Sequence, residues 1–376
     1  MNIQMVDVRS QYLKIKDEID AGIQEVLVNT SFINGPQVKK FKQNFEAYLG
    51  VKHVIPCANG TDALQIAMMA VGLKPGDEVI VPAFTYVATA EVIGLLGLKP
   101  VMVDVDTDTF NINMDSLKAA VTEQSKAIVP VHLYGQAANM EAIMQIAAAH
   151  NLWVIEDNAQ AIGADYTLND GRTAKTGTIG HIGCTSFYPS KNLGCYGDGG
   201  AMYTNDDALA ELLHKIANHG QEVRYYHDVI GCNSRLDSIQ AVVLSAKLPH
   251  LDAYCRARQE VAAYYDRVFR DINGLEIPAR APYSTHVYHQ YTLQVKDGKR
   301  DLLKKWLDDH QVPNMIYYPV PLYKQEAFKS YVPENFRLEN TEELCASVIS
   351  LPIHTEMTED QLDYISEQVR SFFRQY

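Results

Sequence analysis

Between residues 50 and 205, short apolar runs alternate with helix-like segments, and no other feature of the chain narrows its fold as much. The runs are Val54-Ile55-Pro56, Glu78-Val79-Ile80-Val81, Lys99 to Val105, Ala127 to Val131, Trp153-Val154-Ile155 and Ala201-Met202-Tyr203-Thr204. That rhythm is the signature of an α/β fold with a mostly parallel sheet covered on both faces. Asn59-Gly60-Thr61-Asp62 caps a helix over Ala63 to Val71, and Asn139-Met140-Glu141 caps one that runs to His150. Ligands of such sheets gather at the carboxyl ends of the strands.

A chain of 376 residues exceeds the size at which one core stops growing, so a large and a small domain are expected. A helical pattern from Asp237 to Phe269, interrupted at Pro249, reads as the connector. Beyond it come a strand at Tyr291-Thr292-Leu293-Gln294-Val295, an amphipathic helix over Arg300 to His310 and a terminal helix over Thr358 to Phe373. The expected division is a large domain over 1–245 and a smaller C-terminal α+β domain over 246–376 that includes the connecting helix.

A net charge of −13 argues against nucleic acid as a partner, because phosphate backbones are bound through clustered Lys and Arg. The most apolar stretch, Val92 to Val105, is too short to cross a bilayer and contains Lys99 and Pro100. Met1-Asn2-Ile3-Gln4 lacks the charged and apolar regions of a signal peptide, so neither export nor membrane insertion is read and a cytoplasmic enzyme is expected. The six cysteines form no C-x-x-C pair or His cluster, so neither a metal site nor a disulfide framework is expected. Cys195 reads as a small apolar filler rather than a nucleophile.

Lys191 stands in Ser186-Phe187-Tyr188-Pro189-Ser190-Lys191-Asn192, before the glycine-dense Gly194-Cys195-Tyr196-Gly197-Asp198-Gly199-Gly200, and is the only lysine between Lys175 and Lys215. A surface lysine is the bland alternative, but such glycine density permits positive φ and close backbone approach. Upstream, Leu152-Trp153-Val154-Ile155-Glu156-Asp157 sets a carboxylate at a strand end. An amine for a Schiff base and a carboxylate for a pyridine nitrogen are what pyridoxal phosphate chemistry requires. Taken alone, Asp157 reads first as a helix cap.

Other residues gain meaning only beside this pair. Gly60 and Thr61 open a helix whose free N–H groups suit a phosphate, and Ser186 can add a hydroxyl, although each is read separately as a cap or as packing. Tyr86, in Pro82-Ala83-Phe84-Thr85-Tyr86, could stack on the ring or be core. Gln160 would fall near the cofactor's phenolic oxygen if the segment after Asp157 turns into a helix, with a surface glutamine as the alternative.

With these residues in hand, the chain resembles the DegT/DnrJ/EryC1/StrS sugar aminotransferase family from about residue 5 to its end. The resemblance is carried by Ala58-Asn59-Gly60-Thr61-Asp62-Ala63-Leu64, Glu156-Asp157-Asn158-Ala159-Gln160, Ser186 to Lys191, Gly231-Cys232-Asn233-Ser234-Arg235-Leu236-Asp237 and Tyr318-Pro319-Val320-Pro321-Leu322. It implies a fold-type I pyridoxal-phosphate aminotransferase with a mostly parallel seven-stranded sheet between helices. By resemblance, Lys191 carries the Schiff base, Asp157 pairs with the pyridine nitrogen, Gln160 binds the phenolic oxygen, Tyr86 stacks, and Gly60, Thr61 and Ser186 hold the phosphate. Asn233 would serve the phosphate of the neighbouring subunit, so a homodimer with shared active sites is implied.

Within the family, the runs Cys57 to Ile66, Leu193 to Gly200 and Asn233 to Asp237 are similar to the branch acting at C3 of UDP-2-acetamido-2-deoxy-3-oxo-glucuronate for O-antigen synthesis. The implied donor is L-glutamate. Arg235 could then grip the sugar's carboxylate bidentately, or make a structural ion pair instead. Tyr317 and Tyr318 are expected at the sugar. Here Tyr317-Tyr318-Pro319-Val320-Pro321-Leu322-Tyr323 replaces the commoner His-Tyr-Pro-x-Pro-Leu-His, and Asn158 stands where a small residue is usual. Alternatives are a dTDP- or GDP-linked keto-6-deoxyhexose aminotransferase and a non-catalytic nucleotide-sugar-binding regulatory protein. Members that dehydrate the sugar carry histidine at the lysine position, whereas this chain keeps Lys191.

Overall fold

The computed structural model describes residues 3–376. The first nine strands are β1 (His53–Cys57), β2 (Glu78–Pro82), β3 (Lys99–Val103), β4 (Ser125–Ile128), β5 (Trp153–Asp157), β6 (Asp165–Thr167), β7 (Thr173–Lys175), β8 (Ile182–Ser186) and β9 (Gly200–Thr204). Seven of them form one sheet in the order β1-β9-β8-β5-β4-β2-β3, and β6 and β7 make a separate hairpin. β3, β2, β4, β5 and β8 pair in parallel, while β9 runs antiparallel to β8 and β1. The expected mostly parallel α/β sheet is therefore present.

Hydrophobic patterning alone finds six of these strands, because Ile182-Gly183-Cys184-Thr185-Ser186 has no apolar run. Its small residues have a packing reason. A Cβ on Gly183 would lie 2.0 Å from the Gly177 carbonyl oxygen and 2.2 Å from the Tyr203 ring.

The helix Gly60–Ala70 buries Ala63, Leu64, Ile66, Ala67 and Met68 against Val79, Val81, Ile155 and Met202 of the sheet. Each fully buried large aliphatic contributes about 1.5–3 kcal/mol, so the helix start is held where the strands place it. Asn59 Oδ1 accepts from Asp62 N at 2.8 Å, and Asn139 Oδ1 likewise caps Met140–His150 by accepting from Ala142 N at 3.3 Å.

The segment read as a connector forms two helices, Ser238–Lys247 and Leu251–Phe269, separated by a 3-10 turn over Leu248–His250. Pro249 lacks the N–H that a continuous helix would need there. Beyond them, β10 (Leu275–Glu276), β11 (Tyr291–Val295) and β12 (Val348–Leu351) form a second, antiparallel sheet in that order. The helices Arg300–Asp309 and Glu359–Gln375 cover it, sharing a core that includes Leu293, Leu303, Ile349 and Val369. Thr358 and Gln361 form a capping box at the start of the terminal helix.

Among the described residues, no helix is long and apolar enough to cross a membrane, and no cluster of His, Cys, Asp or Glu could hold a metal. All six cysteines are free.

Candidate active site

A cavity of about 660 Å³ opens at the carboxyl ends of the strands and is lined by Gly60, Thr61, Tyr86, Asp157, Gln160, Ser186, Lys191, Tyr317 and Tyr318. β5 ends on Asp157, whose carboxylate is buried. Its Oδ2 accepts from the Thr89 hydroxyl at 2.8 Å and its Oδ1 from Ala159 N at 3.2 Å. Burial nonetheless raises the Asp157 pKa, with these hydrogen bonds and Lys191 opposing the rise. A cation against this carboxylate would complete its environment, which is what a protonated pyridine nitrogen offers.

Lys191 lies in the tight turn after β8, where its own N–H donates to Tyr188 O at 2.8 Å. Burial pushes its ammonium pKa down to about 8, with Asp157 opposing. A free amine is therefore accessible near neutral pH. The glycines beyond it serve close approach. A Cβ on Gly194 would lie 2.5 Å from Pro189 O, and one on Gly200 would lie 2.4 Å from the Asn59 carbonyl. Cys195 is buried, its thiol pKa pushed up to about 12 chiefly by burial, as a filler rather than a nucleophile requires.

The N-terminus of Gly60–Ala70 points its unpaired donors at the same cavity. Asn59 satisfies the N–H groups of Asp62 and Ala63, leaving those of Gly60 and Thr61 open among the described residues. Ser186 packs directly against Gly60, where a Cβ would lie 2.7 Å from its own Cβ. Two open backbone donors, a hydroxyl and a helix dipole make a fitting seat for a phosphate.

Tyr86 is 56% exposed, so it is a cavity wall rather than core, with its ring 6.2 Å from that of Tyr318. Gln160 is buried rather than on the surface. The segment after Asp157 does not turn into a helix; residues 159–163 are successive turns. Gln160 is held instead by Oε1 accepting from Tyr134 N at 2.8 Å and Nε2 donating to the Tyr318 hydroxyl at 3.1 Å. Asn158 spans to the other side of β5, donating Nδ2 to Thr176 O and to the Tyr203 hydroxyl, each at 2.8 Å.

Asn233 and Arg235 lie outside this cavity. Asn233 is exposed, and Arg235 lines a separate cleft with Asn34, Val38 and Lys42. Ser234 between them donates to Asp62 Oδ2 at 2.6 Å and accepts from Ala58 N at 3.0 Å, so their backbone borders the phosphate seat from outside. Arg235 makes no ion pair among the described residues, and its Nε has no partner. The structural ion pair weighed for it is absent.

Sequence reading missed Thr89, His289 and Gln290. Thr89 carries no signal beyond its buried place in Ala88–Leu95, and His289 and Gln290 reach the cavity from just before β11. Nothing in their local sequence announces a site nearly a hundred residues upstream.

The pattern described as the DegT/DnrJ/EryC1/StrS aminotransferase family matches residues 13–370. A protein of Geobacillus stearothermophilus named "Pleiotropic regulatory protein" is 46% identical over 378 residues, covering 100% of both chains. The UDP-2-acetamido-2-deoxy-3-oxo-D-glucuronate aminotransferase of Pseudomonas aeruginosa is 46% identical over 352 residues, covering 94% of this chain and 95% of that one. The crystal structure of a DegT DnrJ EryC1 StrS aminotransferase from Brucella abortus superposes with a TM-score of 0.94 at 41% identity, covering 99% of this chain and 100% of that one.

Proposed function

The chain belongs to the DegT/DnrJ/EryC1/StrS aminotransferase family, and we propose that it uses pyridoxal phosphate to move the amino group of L-glutamate to C3 of UDP-2-acetamido-2-deoxy-3-oxo-glucuronate, as a cytoplasmic homodimer. The observation that carries this reading is one cavity holding a low-pKa amine, a buried carboxylate and a helix N-terminus.

Lys191 would hold the cofactor covalently through its amine, Asp157 would face the ring nitrogen, and Gly60, Thr61 and Ser186 would receive the phosphate. Tyr86 would cover the ring, and Gln160 would stand at the phenolic oxygen. When bound, the cofactor supplies an electron-withdrawing ring that accepts the electron pair of the broken C–H bond. The chain's own work is proton handling and placement. Lys191 Nζ takes the proton from the amine-bearing carbon of glutamate, a task for which burial has already favoured the unprotonated amine. Tyr317 and Tyr318 wall the sugar side.

Among the described residues of one chain, the cavity offers no lysine or arginine to a sugar carboxylate other than Lys191. An unpaired Arg235 beside the seat, yet outside it, suits delivery to the partner subunit's cavity, and Asn233 would follow the same route. Val223, Tyr225, Tyr226 and Ile230 form an exposed apolar arm just before them, which association would cover. The 46% identical glucuronate aminotransferase supports the substrate. A non-catalytic regulatory role is the second reading, motivated by the name of the Geobacillus relative.

Borohydride reduction followed by peptide mass mapping tests the assignment, with the cofactor expected on Lys191; label elsewhere, or a purified protein that never takes up the cofactor, sinks it. Offering UDP-, dTDP- and GDP-ketosugars with glutamate and following 2-oxoglutarate separates the uronate from 6-deoxyhexoses.

A further inference from the structure

His289 has no task in the reading above, yet its Nε2 lies 3.4 Å from Lys191 Nζ. The ring is buried, and its Nδ1 has no partner among the described residues. The segment just before it is tied down from three directions. Val287 N donates to Gly135 O at 2.8 Å, Asn192 Nδ2 donates to Val287 O at 2.9 Å, and the buried guanidinium of Arg258 donates to Tyr288 O at 3.1 Å and Ile353 O at 2.9 Å. Asn192 adjoins Lys191 in the chain, so the amine and the imidazole are registered against each other by a shared neighbour. Surface packing needs no such arrangement.

The charges acting on the pair are Asp157, on the Lys191 side, and Arg258, behind the imidazole. Burial, with Lys191 and Arg258 beside it, holds the His289 imidazole well below its ordinary range, so it is neutral. An ammonium has three donors and no acceptor; a neutral imidazole facing it can only accept.

We propose that His289 is a positioning residue of the transfer, accepting a hydrogen bond at Nε2 from Lys191 Nζ so that the amine's lone pair is aimed into the cavity. When that lone pair takes the proton of the substrate's C–H bond, a new N–H bond forms, and the C–H electron pair would pass to the electron-withdrawing ring that the bound cofactor supplies. The resulting ammonium keeps its bond to Nε2, and the imidazole itself gains no proton. This inference rests on the assignment of Lys191 as the reacting amine.

The test uses the full-length chain freed of cofactor, labelled with trace acetic anhydride across a pH series, with Lys191 acetylation read by peptide mass mapping. His289→Phe removes the acceptor that stabilises the ammonium, so the Lys191 midpoint should fall by about one pH unit. His289→Gln keeps an acceptor oxygen and should restore it. In the cofactor-loaded enzyme, His289→Phe should slow the glutamate half-reaction about a hundredfold with the glutamate KM unchanged, and His289→Gln should recover most of the rate. If His289→Phe does not fold, His289→Leu takes its place. Identical Lys191 midpoints in the wild type and the folded variants overturn the proposal. Because the labelling needs no cofactor, that result is distinct from a failure of borohydride trapping, which bears on the function itself.

Discussion

Thr89 donates its hydroxyl to Asp157 Oδ2 at 2.8 Å, tying the carboxylate at the end of β5 to the first turn of the helix after β2. The bond favours the ionised form of an acid that burial pushes the other way. Thr89→Val should therefore raise the Asp157 pKa further and leave it a poorer partner for a ring cation. A hydrogen bond to a charged group contributes about 1.5–3 kcal/mol, so cofactor affinity should fall at least about tenfold. Titration of the cofactor-free protein measures this, and Thr89→Ser should restore affinity.

Gly135 sits at φ +112°, and a Cβ there would lie 2.7 Å from Tyr288 N and 3.0 Å from His289 N. Both the dihedral and the backbone contact oppose a side chain. Gly135→Ala should cost about 1–3 kcal/mol in denaturant unfolding and displace the segment before β11 from the cavity. Equal stability with an unchanged Lys191 midpoint would show that this contact is slack.

The proposed sharing of active sites between two subunits can be tested by mixing two variants. On that reading Lys191→Ala lacks the reacting amine and Arg235→Glu spoils the surface offered to the partner, so each variant alone should be inactive on the uronate. Refolded together in equal amounts, they should regain about a quarter of the wild-type activity, from the one intact site in each mixed dimer. No recovery means that Arg235 serves its own chain's site.

Lys247 is buried, donates to Gly194 O at 2.7 Å, and lies with Nζ 4.5 Å from the centre of the Tyr196 ring. Burial pushes its pKa down to about 8. Below that pH both folded and unfolded chains hold the proton, so stability is flat. Between about 8 and the ordinary lysine value near 10.4, only the unfolded chain holds it, and stability rises with pH by up to about 3 kcal/mol. Lys191, depressed in the same direction, adds to the slope in the cofactor-free protein. Urea midpoints from pH 7.5 to 9.5 should climb in the wild type and less steeply in Lys247→Met; parallel curves would rule out a buried cation there.

How far the sequence could be read depended on how local each signal is. Strands such as Glu78–Pro82 and caps such as Asn59 and Asn139 declare themselves within a few residues, because periodicity and capping are short-range physics. β8 was less visible because its residues are chosen for thinness, with Gly183 pressed against Gly177 and Tyr203. Gln160 is buried against the cavity, although the helix on which its expected place depended is not there. It reaches the cavity through turns braced by Tyr134 and Tyr318, not through a helix.

By itself the amino-acid order determined a mostly parallel α/β sheet with Asp157 at a strand end and its helix caps in place, since apolar runs and caps act over short stretches of chain. Only the tertiary structure decided that Thr89 braces Asp157, that His289 faces Lys191, and that Arg235 stands outside its own chain's cavity with no ion pair among the described residues. Those relationships join residues as many as 98 positions apart, where no periodicity operates. They exist because packing of the two sheets and their helices brings distant segments within hydrogen-bonding distance.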